Sequence, residues 1–126
     1  MKTVLAIAAG GALGALARHY FAAQIMRWTA GGFPWGIFAA NILGSFLMGI
    51  VIHALTHLSE PMPGLKAFLT VGFLGAFTTF STYALDIVLL IERGQVALAA
   101  GYAVGSAVLA VLGLIAGMAL ARMVMG

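Results

Sequence analysis

The chain has 126 residues, of which 63% are hydrophobic and 7% are charged. Soluble domains carry about 25% charged residues, so this chain has too little polar side-chain surface to coat a water-soluble globule. The net charge of +3 is too small and scattered for nucleic-acid binding, and a sequence without cysteine excludes disulfide, thiolate and iron–sulfur chemistry. The composition therefore predicts a polytopic membrane protein.

Four apolar segments are each long enough to cross a membrane, at residues 3–26, 34–58, 65–91 and 95–124. A hydrocarbon core of about 30 Å takes about 20 helical residues. The connections between the segments are short, and they contain a Gly-Gly turn, a proline-rich turn over 59–64 and a tight hairpin at 92–94. We therefore expect an all-α protein with a single four-helix transmembrane domain over residues 1–126.

The basic residues are distributed evenly between the two sides of the predicted membrane domain. Four crossings place Lys2, Lys66 and Arg122 on the side of the termini, and Arg18, Arg27 and Arg93 on the other. The positive-inside rule then favours neither orientation, so the chain can insert both ways. Two inverted copies would pair as an antiparallel dimer. The alternative is a single orientation, set by a small charge bias.

The third segment carries an unusual polar stretch at residues 72–83, with two glycines, four Ser or Thr residues and four aromatic residues. Glycine and a Thr-Thr pair lower helix propensity, and 27 residues of straight helix would be about 40 Å long. We predict that the third helix is broken in the middle of the membrane, next to a watery cavity. Carbonyls freed between Gly75 and Thr78, two from each of two subunits, would form a cation cage.

Several side chains are candidates for an ion pathway. Asn41 lies deep in the second segment, where it either joins two helices or directs its amide donors into a pore. Arg18 either anchors the first helix at the interface or draws anions into a vestibule. Phe77, Phe80 and Tyr83 are spaced by three and would share a helix face, where their positive ring edges can stabilise an anion.

The remaining polar groups give weaker signals. His53 and His57 have the i, i+4 spacing of two metal ligands, but without a third ligand in the pattern we interpret them as interfacial histidines. With three acidic residues and no thiol, the chain has no arrangement typical of catalysis, and we expect it not to be an enzyme.

Four stretches in a fixed order carry a family resemblance: GGALGALAR at 10–18, NILGSF at 41–46, GFLGAFTTFSTY at 72–83 and ERG at 92–94. In a four-helix chain of this length, the set resembles the Fluc/CrcB family of fluoride channels. The resemblance implies an antiparallel, dual-topology homodimer in the bacterial inner membrane, with two pores that export fluoride passively. It also implies a central structural sodium ion, held by backbone carbonyls of Gly75 and Thr78.

The resemblance further implies which residues line the pore. Together with Phe77, whose ring we add to the set, the predicted pore residues are Asn41, Phe77, Phe80, Ser81, Thr82, Tyr83 and Tyr102, with Arg18 in the vestibule. The chain departs from the family pattern twice, with Ala76 in place of a glycine and Tyr83 in place of a phenylalanine. The added phenol either coordinates fluoride or forms a hydrogen bond elsewhere and narrows the pore.

Two other protein classes would fit parts of this pattern. A small multidrug transporter also has four helices, but its proton coupling needs a carboxylate in the membrane, and Asp86 is the only candidate within a segment. A structural subunit of a larger complex would explain the glycine spacing of the first and fourth segments. It would not explain the polar stretch at 72–83.

Overall fold

The computed structural model describes residues 1–29, 31–58 and 62–126. All regular secondary structure in these residues is helical, and four helical spans have the length and composition to cross a membrane. The first, second and last are α1 (Lys2–Trp28), α2 (Trp35–Thr56) and α5 (Val96–Met125). The predicted all-α membrane class is thus confirmed, while residues 59–61 of the predicted proline-rich turn lie outside the described residues.

The third span consists of two helices that follow one another along the chain. The first, α3, has three consecutive pieces: an α-helical start at Pro63–Lys66, a π-helical centre at Ala67–Leu74 and an α-helical end at Gly75–Phe77. The second, α4, covers Phe80–Glu92. Helical backbone therefore stops at Phe77 and resumes at Phe80, with two extended residues between them.

Glycines allow α3 to lie directly against α1. A Cβ atom on Gly10 would collide with the carbonyl oxygen of Phe68, and one on Gly14 would collide with the carbonyl oxygen of Phe73. Gly72 in turn faces Gly10 across the same contact. Such close backbone approach gives van der Waals attraction that larger side chains would prevent, which matters in lipid because no hydrophobic force drives helices together.

Glycines also allow close backbone approach between α2 and α5. Gly49 packs against the carbonyl oxygen of Leu114, and Gly117 packs against that of Phe46. By contrast, a Cβ atom on Gly101, which lies in the same helix as Gly117, would meet no heavy atom from another part of the described chain within 4 Å. Within the described residues, the glycines of the last segment therefore contribute only in part to packing between helices.

An aromatic cluster fills the space between α4 and α5. Tyr102 and Leu90 are almost completely buried there, together with Ala99. The rings of Phe33 and Phe38 cover this cluster at the start of α2. The hairpin before α5 is closed by Gly94, whose φ of 79° is unfavourable for other residues. The cluster holds α4 beside the polar residues described next.

Candidate functional site

The site is organised around the two extended residues between α3 and α4. Thr78 has φ −91° and ψ 154°, and Thr79 has φ −151° and ψ 128°. The Thr78 hydroxyl donates back to the carbonyl of Leu74 at 3.0 Å, and the Thr79 hydroxyl oxygen caps α4 by accepting from the Thr82 amide at 3.3 Å. Threonine thus ends one helix and begins the next, which is the behaviour expected of a residue that offers the backbone alternative hydrogen bonds.

Asn41 holds the extended segment from the neighbouring helix α2. Its side-chain Nδ2 donates to the Thr79 carbonyl at 3.1 Å, and its Oδ1 accepts from the Thr79 amide at 2.7 Å. The side-chain amide therefore satisfies both backbone groups that an extended residue would otherwise leave unpaired. Asn41 joins two parts of the chain, and because an amide nitrogen carries two hydrogens, one N–H remains beyond the bond to Thr79.

The residues of this segment border a cavity of about 270 Å³, which we call the central cavity. Its walls are formed by Asn41, Ser45, Thr78, Thr79, Phe80, Tyr83, Ser106, Ala107 and Ala110. Four of the predicted pore or ion-binding residues meet here, namely Asn41, Thr78, Phe80 and Tyr83. None of the lining residues carries a formal charge, so this cavity combines neutral hydrogen-bonding groups with aromatic rings.

Ser106 is a cavity residue that the sequence reasoning missed. It is 3% exposed, and its hydroxyl has no hydrogen-bond partner within the described residues. A buried hydroxyl without a hydrogen-bond partner costs free energy, which makes Ser106 a candidate for a functional role at the cavity wall. Its place four residues after Tyr102 could have revealed it, because residues spaced by four share a helix face.

The two predicted pore tyrosines both donate their hydroxyl protons to other groups. Tyr83 donates to the carbonyl oxygen of Ala103 at 2.6 Å, and Tyr102 donates to Oδ2 of Asp86 at 2.9 Å. The Tyr83 ring borders the central cavity, whereas Tyr102 is not among the lining residues. Tyr102 instead belongs to the buried cluster between α4 and α5.

Phe77 and Phe80 do not share a face, although their spacing by three suggests that they should. Phe77 is 5% exposed and packs against Phe21 of α1, with ring centroids 5.5 Å apart. Phe80 is 79% exposed and borders the central cavity. The difference has a simple cause, because the extended residues between them break the helical rotation on which the spacing argument depends.

A second cavity, of about 360 Å³, lies on the side of α1 and is here called the arginine cavity. Arg18 and Thr82, both predicted site residues, are among its lining residues, and so is His19. The guanidinium of Arg18 donates through Nη1 to the carbonyl oxygen of Ala76 at 2.7 Å, near the end of α3. Arg18 thus lines a cavity and binds the interrupted span at the same time.

Thr79 lies between the two cavities. Its hydroxyl is 3.4 Å from that of Thr82, which lines the arginine cavity, and 3.4 Å from that of Ser81, which is exposed. Thr79 itself lines the central cavity. The hydroxyls of Thr79 and Thr82 therefore form a polar connection from one cavity to the other, and the hydroxyl of Ser81 lies beside it.

The interruption also changes the surroundings of two backbone carbonyls. In a continuous helix the Thr79 amide would donate to the Gly75 carbonyl, but here it donates to Asn41. The Thr82 amide, which would donate to the Thr78 carbonyl, instead donates to the Thr79 hydroxyl. Gly75 and Thr78 are the residues predicted to coordinate a cation, and both carbonyls lose their helical donor.

The histidine pair at the end of α2 is closely associated, with ring centroids 4.2 Å apart. His57 is exposed and bonds through Nδ1 to the carbonyl oxygen of His53 at 2.9 Å. His53 is 8% exposed, so its side chain is largely buried within the chain, whereas the interfacial position stays a prediction. Within the described residues no group of three or more His, Cys, Asp or Glu side chains could hold a metal ion together.

Comparison with known proteins identifies the family. The sequence profile described as "CrcB-like protein, Camphor Resistance (CrcB)" matches residues 5–118. A protein of Rhodospirillum centenum named fluoride-specific ion channel FluC is 48% identical over 122 residues, which cover 97% of each chain. Proteins with the same name from Phenylobacterium zucineum and Nitrobacter winogradskyi are 47% and 44% identical, covering 98% and 96% of each chain. The chain therefore belongs to the CrcB family, as its four sequence motifs indicated.

Proposed function

We propose that this protein is a fluoride-specific channel, and not an enzyme, that lets fluoride leave the cell passively and so relieves fluoride toxicity. The observation that carries this proposal is the central cavity, which is lined by the polar residues Asn41 and Ser106 and the aromatic residues Phe80 and Tyr83, and by no residue with a formal charge. Fluoride is small and strongly hydrated, so a path through a membrane must replace its water with neutral donors. The names of the relatives support the same substrate.

The two cavities suggest the route of the ion. Arg18 would attract fluoride into the arginine cavity, where Thr82 offers a hydroxyl donor. The connected hydroxyls of Thr82 and Thr79 would then pass the ion to the central cavity. There the aromatic ring edges, which carry partial positive charge, would take over from water without holding the ion as tightly as a lysine or arginine would. Weak binding at several positions allows an ion both to enter and to leave.

A second copy of the chain would complete the pore. Gly75, Phe80 and Ser81 are exposed in the single subunit, close to backbone that is not helical. Lipid cannot form hydrogen bonds with such backbone, so in a membrane it must be covered by protein or line water. We propose that an inverted second subunit covers it and places the break of the third span inside the membrane. The even distribution of basic residues supports the antiparallel arrangement.

Dual topology has a direct test. Tags on the termini should be accessible from both faces of the plasma membrane, which in bacteria is the inner membrane, and purified protein should crosslink as a dimer. The negative control is a variant with two lysines added after Met125, which biases the charge and should fix one orientation. Termini found on one face only in the unmodified chain would rule out the antiparallel dimer.

The proposed sodium ion fits the residues that the resemblance assigns to it. The Gly75 and Thr78 carbonyls have lost their helical donors, and Gly75 is exposed where the second subunit would lie. Oxygen ligands suit a hard cation, and carbonyls from two subunits would surround an ion on the dimer axis. When bound, the ion would supply positive charge that links the two chains.

Sodium removal tests this assignment. Protein purified throughout in potassium salts should form fewer dimers and conduct less fluoride than protein purified in sodium, and sodium added back should restore both. Lithium, a smaller ion, serves as the comparison that separates a fitted site from general ionic strength. Full dimerisation and full flux after sodium-free purification would count against the carbonyl cage.

Fluoride efflux from liposomes tests the function itself. Vesicles loaded with potassium fluoride and containing the protein should release fluoride when valinomycin balances the charge, whereas vesicles loaded with potassium chloride should retain chloride. Replacing Phe80 with Ile should reduce fluoride release at least tenfold, because it keeps apolar volume but removes a ring edge. The control is Phe21→Ile, which changes a ring on α1 away from the central cavity. Proton-coupled exchange of organic cations, or no flux, would refute the channel.

The transporter alternative has little support in the site. Its coupling would need a carboxylate that is free to exchange protons with a substrate cavity. Asp86 is the candidate acid of α4, and its Oδ2 accepts from the buried Tyr102. Asp86 does not line the central cavity or the arginine cavity.

A further inference from the structure

Tyr83 lies at the position where the family resemblance implies a phenylalanine, and its hydroxyl forms a hydrogen bond. The side chain extends from the first turn of α4 to α5, where the hydroxyl donates to the Ala103 carbonyl at 2.6 Å. Tyr83 also lines the central cavity, and its ring lies 5.5 Å from the Phe80 ring, centroid to centroid. Tyr83 therefore lines the cavity while its hydroxyl is bound to a neighbouring helix.

A phenol has a single O–H group, which can serve one strong acceptor at a time. Because the Tyr83 proton is given to Ala103, only oxygen lone pairs remain on the hydroxyl, and these would repel an anion. Fluoride could use this donor only after the short bond to α5 had broken. The ring edge needs no such change, because Tyr83 lines the cavity while its hydroxyl stays bound to Ala103.

The start of α4 depends on side-chain hydrogen bonds more than other helices of the chain do. The extended Thr78 and Thr79 separate it from α3, so no helical ladder passes from one to the other. Asn41 fastens Thr79 to α2, and Tyr83 fastens the first turn of α4 to α5. The bond between Tyr102 and Asp86 lies one turn further along α4. Of these two bonds between α4 and α5, the one from Tyr83 to Ala103 therefore lies nearer the cavity.

We propose that Tyr83 is a positioning residue: its hydroxyl fixes α4 and its own ring against α5, and fluoride meets the ring edge and not the hydroxyl. The proposal rests on the proposed channel function and decides between the two roles that the phenol can have. It assigns to the added oxygen a mechanical task that a phenylalanine cannot perform.

Tyr83→Phe distinguishes positioning from fluoride binding when flux is measured over a series of fluoride concentrations. Loss of one hydrogen bond of typical strength corresponds to about fivefold in an equilibrium. We expect maximal flux to fall about fivefold as the ring loses its fixed position, with the half-saturating fluoride concentration unchanged. The matched control is Tyr20→Phe, which removes a hydroxyl from a ring that is 68% exposed on α1.

Two results would overturn the proposal. A half-saturating concentration raised tenfold, with maximal flux intact, would identify the hydroxyl as a fluoride ligand. Flux identical to that of the unmodified chain in both parameters would show that the bond to Ala103 positions nothing.

Weakening the acceptor tests the bond from its other end. Replacing Val104 with its α-hydroxy acid turns the carbonyl of Ala103 into an ester carbonyl, which is a weaker acceptor. The ester should lower flux when Tyr83 is present and should have a smaller effect in the Tyr83→Phe background, because the bond is already lost there. Equal effects of the ester in both backgrounds would contradict the proposed bond.

The unmodified chain, the ester variant, Tyr83→Phe and the combined variant can also be compared by thermal unfolding in detergent, which requires no fluoride conduction. A non-additive loss of unfolding temperature supports the bond between α4 and α5 even if the unmodified chain fails to conduct fluoride. Additive losses contradict the bond whatever the flux. The failure of the channel function is thus distinguishable from the failure of this inference.

Discussion

The two helices on either side of Thr78 and Thr79 are attached to the bundle by different means. α3 lies against α1 through glycine, with Gly14 next to the Phe73 carbonyl and no side chain between the two backbones. α4 is attached by hydrogen bonds from side chains, of which Tyr83 to Ala103 is one. The first attachment is a close contact between backbones, whereas the second combines separate polar bonds with the aromatic cluster between α4 and α5.

The difference between glycine contacts and side-chain hydrogen bonds indicates where a membrane protein can form a polar path. Close glycine contacts exclude water and leave no room for an ion, so α3 serves as a fixed support. Side-chain hydrogen bonds hold a helix at a distance, and the space that they leave beside α4 is the central cavity. The comparison predicts that changes on the α3 side reduce stability most, whereas changes on the α4 side reduce flux at a smaller cost in stability.

The largest effect is expected for Gly14→Ala. The new methyl group would collide with the backbone carbonyl of Phe73, which cannot move aside as a flexible side chain could. We expect a loss of about 3 kcal/mol in stability, the upper end for overpacking, with poor recovery of folded protein. Thermal unfolding in detergent measures the effect. Gly11→Ala is the matched control, since a methyl group there meets no heavy atom within 4 Å.

Equal thermal stability of Gly14→Ala and Gly11→Ala would contradict the proposed distinction between the attachment of α3 and that of α4. It would mean that α3 can move away from α1 without loss, and that the glycine contact is not what supports the extended segment.

A smaller effect on stability, but a larger one on flux, is expected for Asn41→Ala. The substitution leaves the amide and carbonyl of Thr79 without their partner, at a cost of about 2 kcal/mol. Fluoride flux should fall more than tenfold because the extended segment loses its hold on α2. Ser45→Ala is the control, as it changes another α2 residue at the same cavity. Normal flux in Asn41→Ala would show that the extended segment holds its shape alone.

The smallest effect is expected for Thr79→Val, which keeps the shape of the side chain and removes the oxygen that caps α4. The Thr82 amide then loses its acceptor, with a loss of about 1 kcal/mol. Flux should fall severalfold, because the hydroxyl connection between the two cavities is also lost. Thr79→Ser keeps the oxygen and should restore both properties; a Ser variant as weak as the Val variant would point to packing of the methyl group instead.

The sequence was sufficient for the four spans, because hydropathy is a local property and each apolar segment exceeds the membrane thickness. It also located the polar stretch at 72–83, since glycine and threonine have local preferences that differ from those of the surrounding residues. It was not sufficient for the partners of that stretch. Arg18 and Ala76 are 58 residues apart, and nothing local connects them.

Two further features required the three-dimensional arrangement. The partner of Tyr83 is a backbone carbonyl, and since every residue carries one, no pattern of letters distinguishes Ala103. The different surroundings of Phe77, which is buried, and Phe80, which is exposed, depend on the extended residues between them, and helical spacing cannot anticipate this difference.

The contact between Arg18 and Ala76 has an electrostatic consequence for an anion near the interruption. Two helices that meet end to end present opposite poles, with partial negative charge at the last carbonyls of α3 and partial positive charge at the first amides of α4. The guanidinium of Arg18 donates to one of those last carbonyls and offsets the negative pole. An anion arriving between the helices would therefore experience chiefly the positive pole of α4, because the partly buried Arg18 offsets the negative pole of α3.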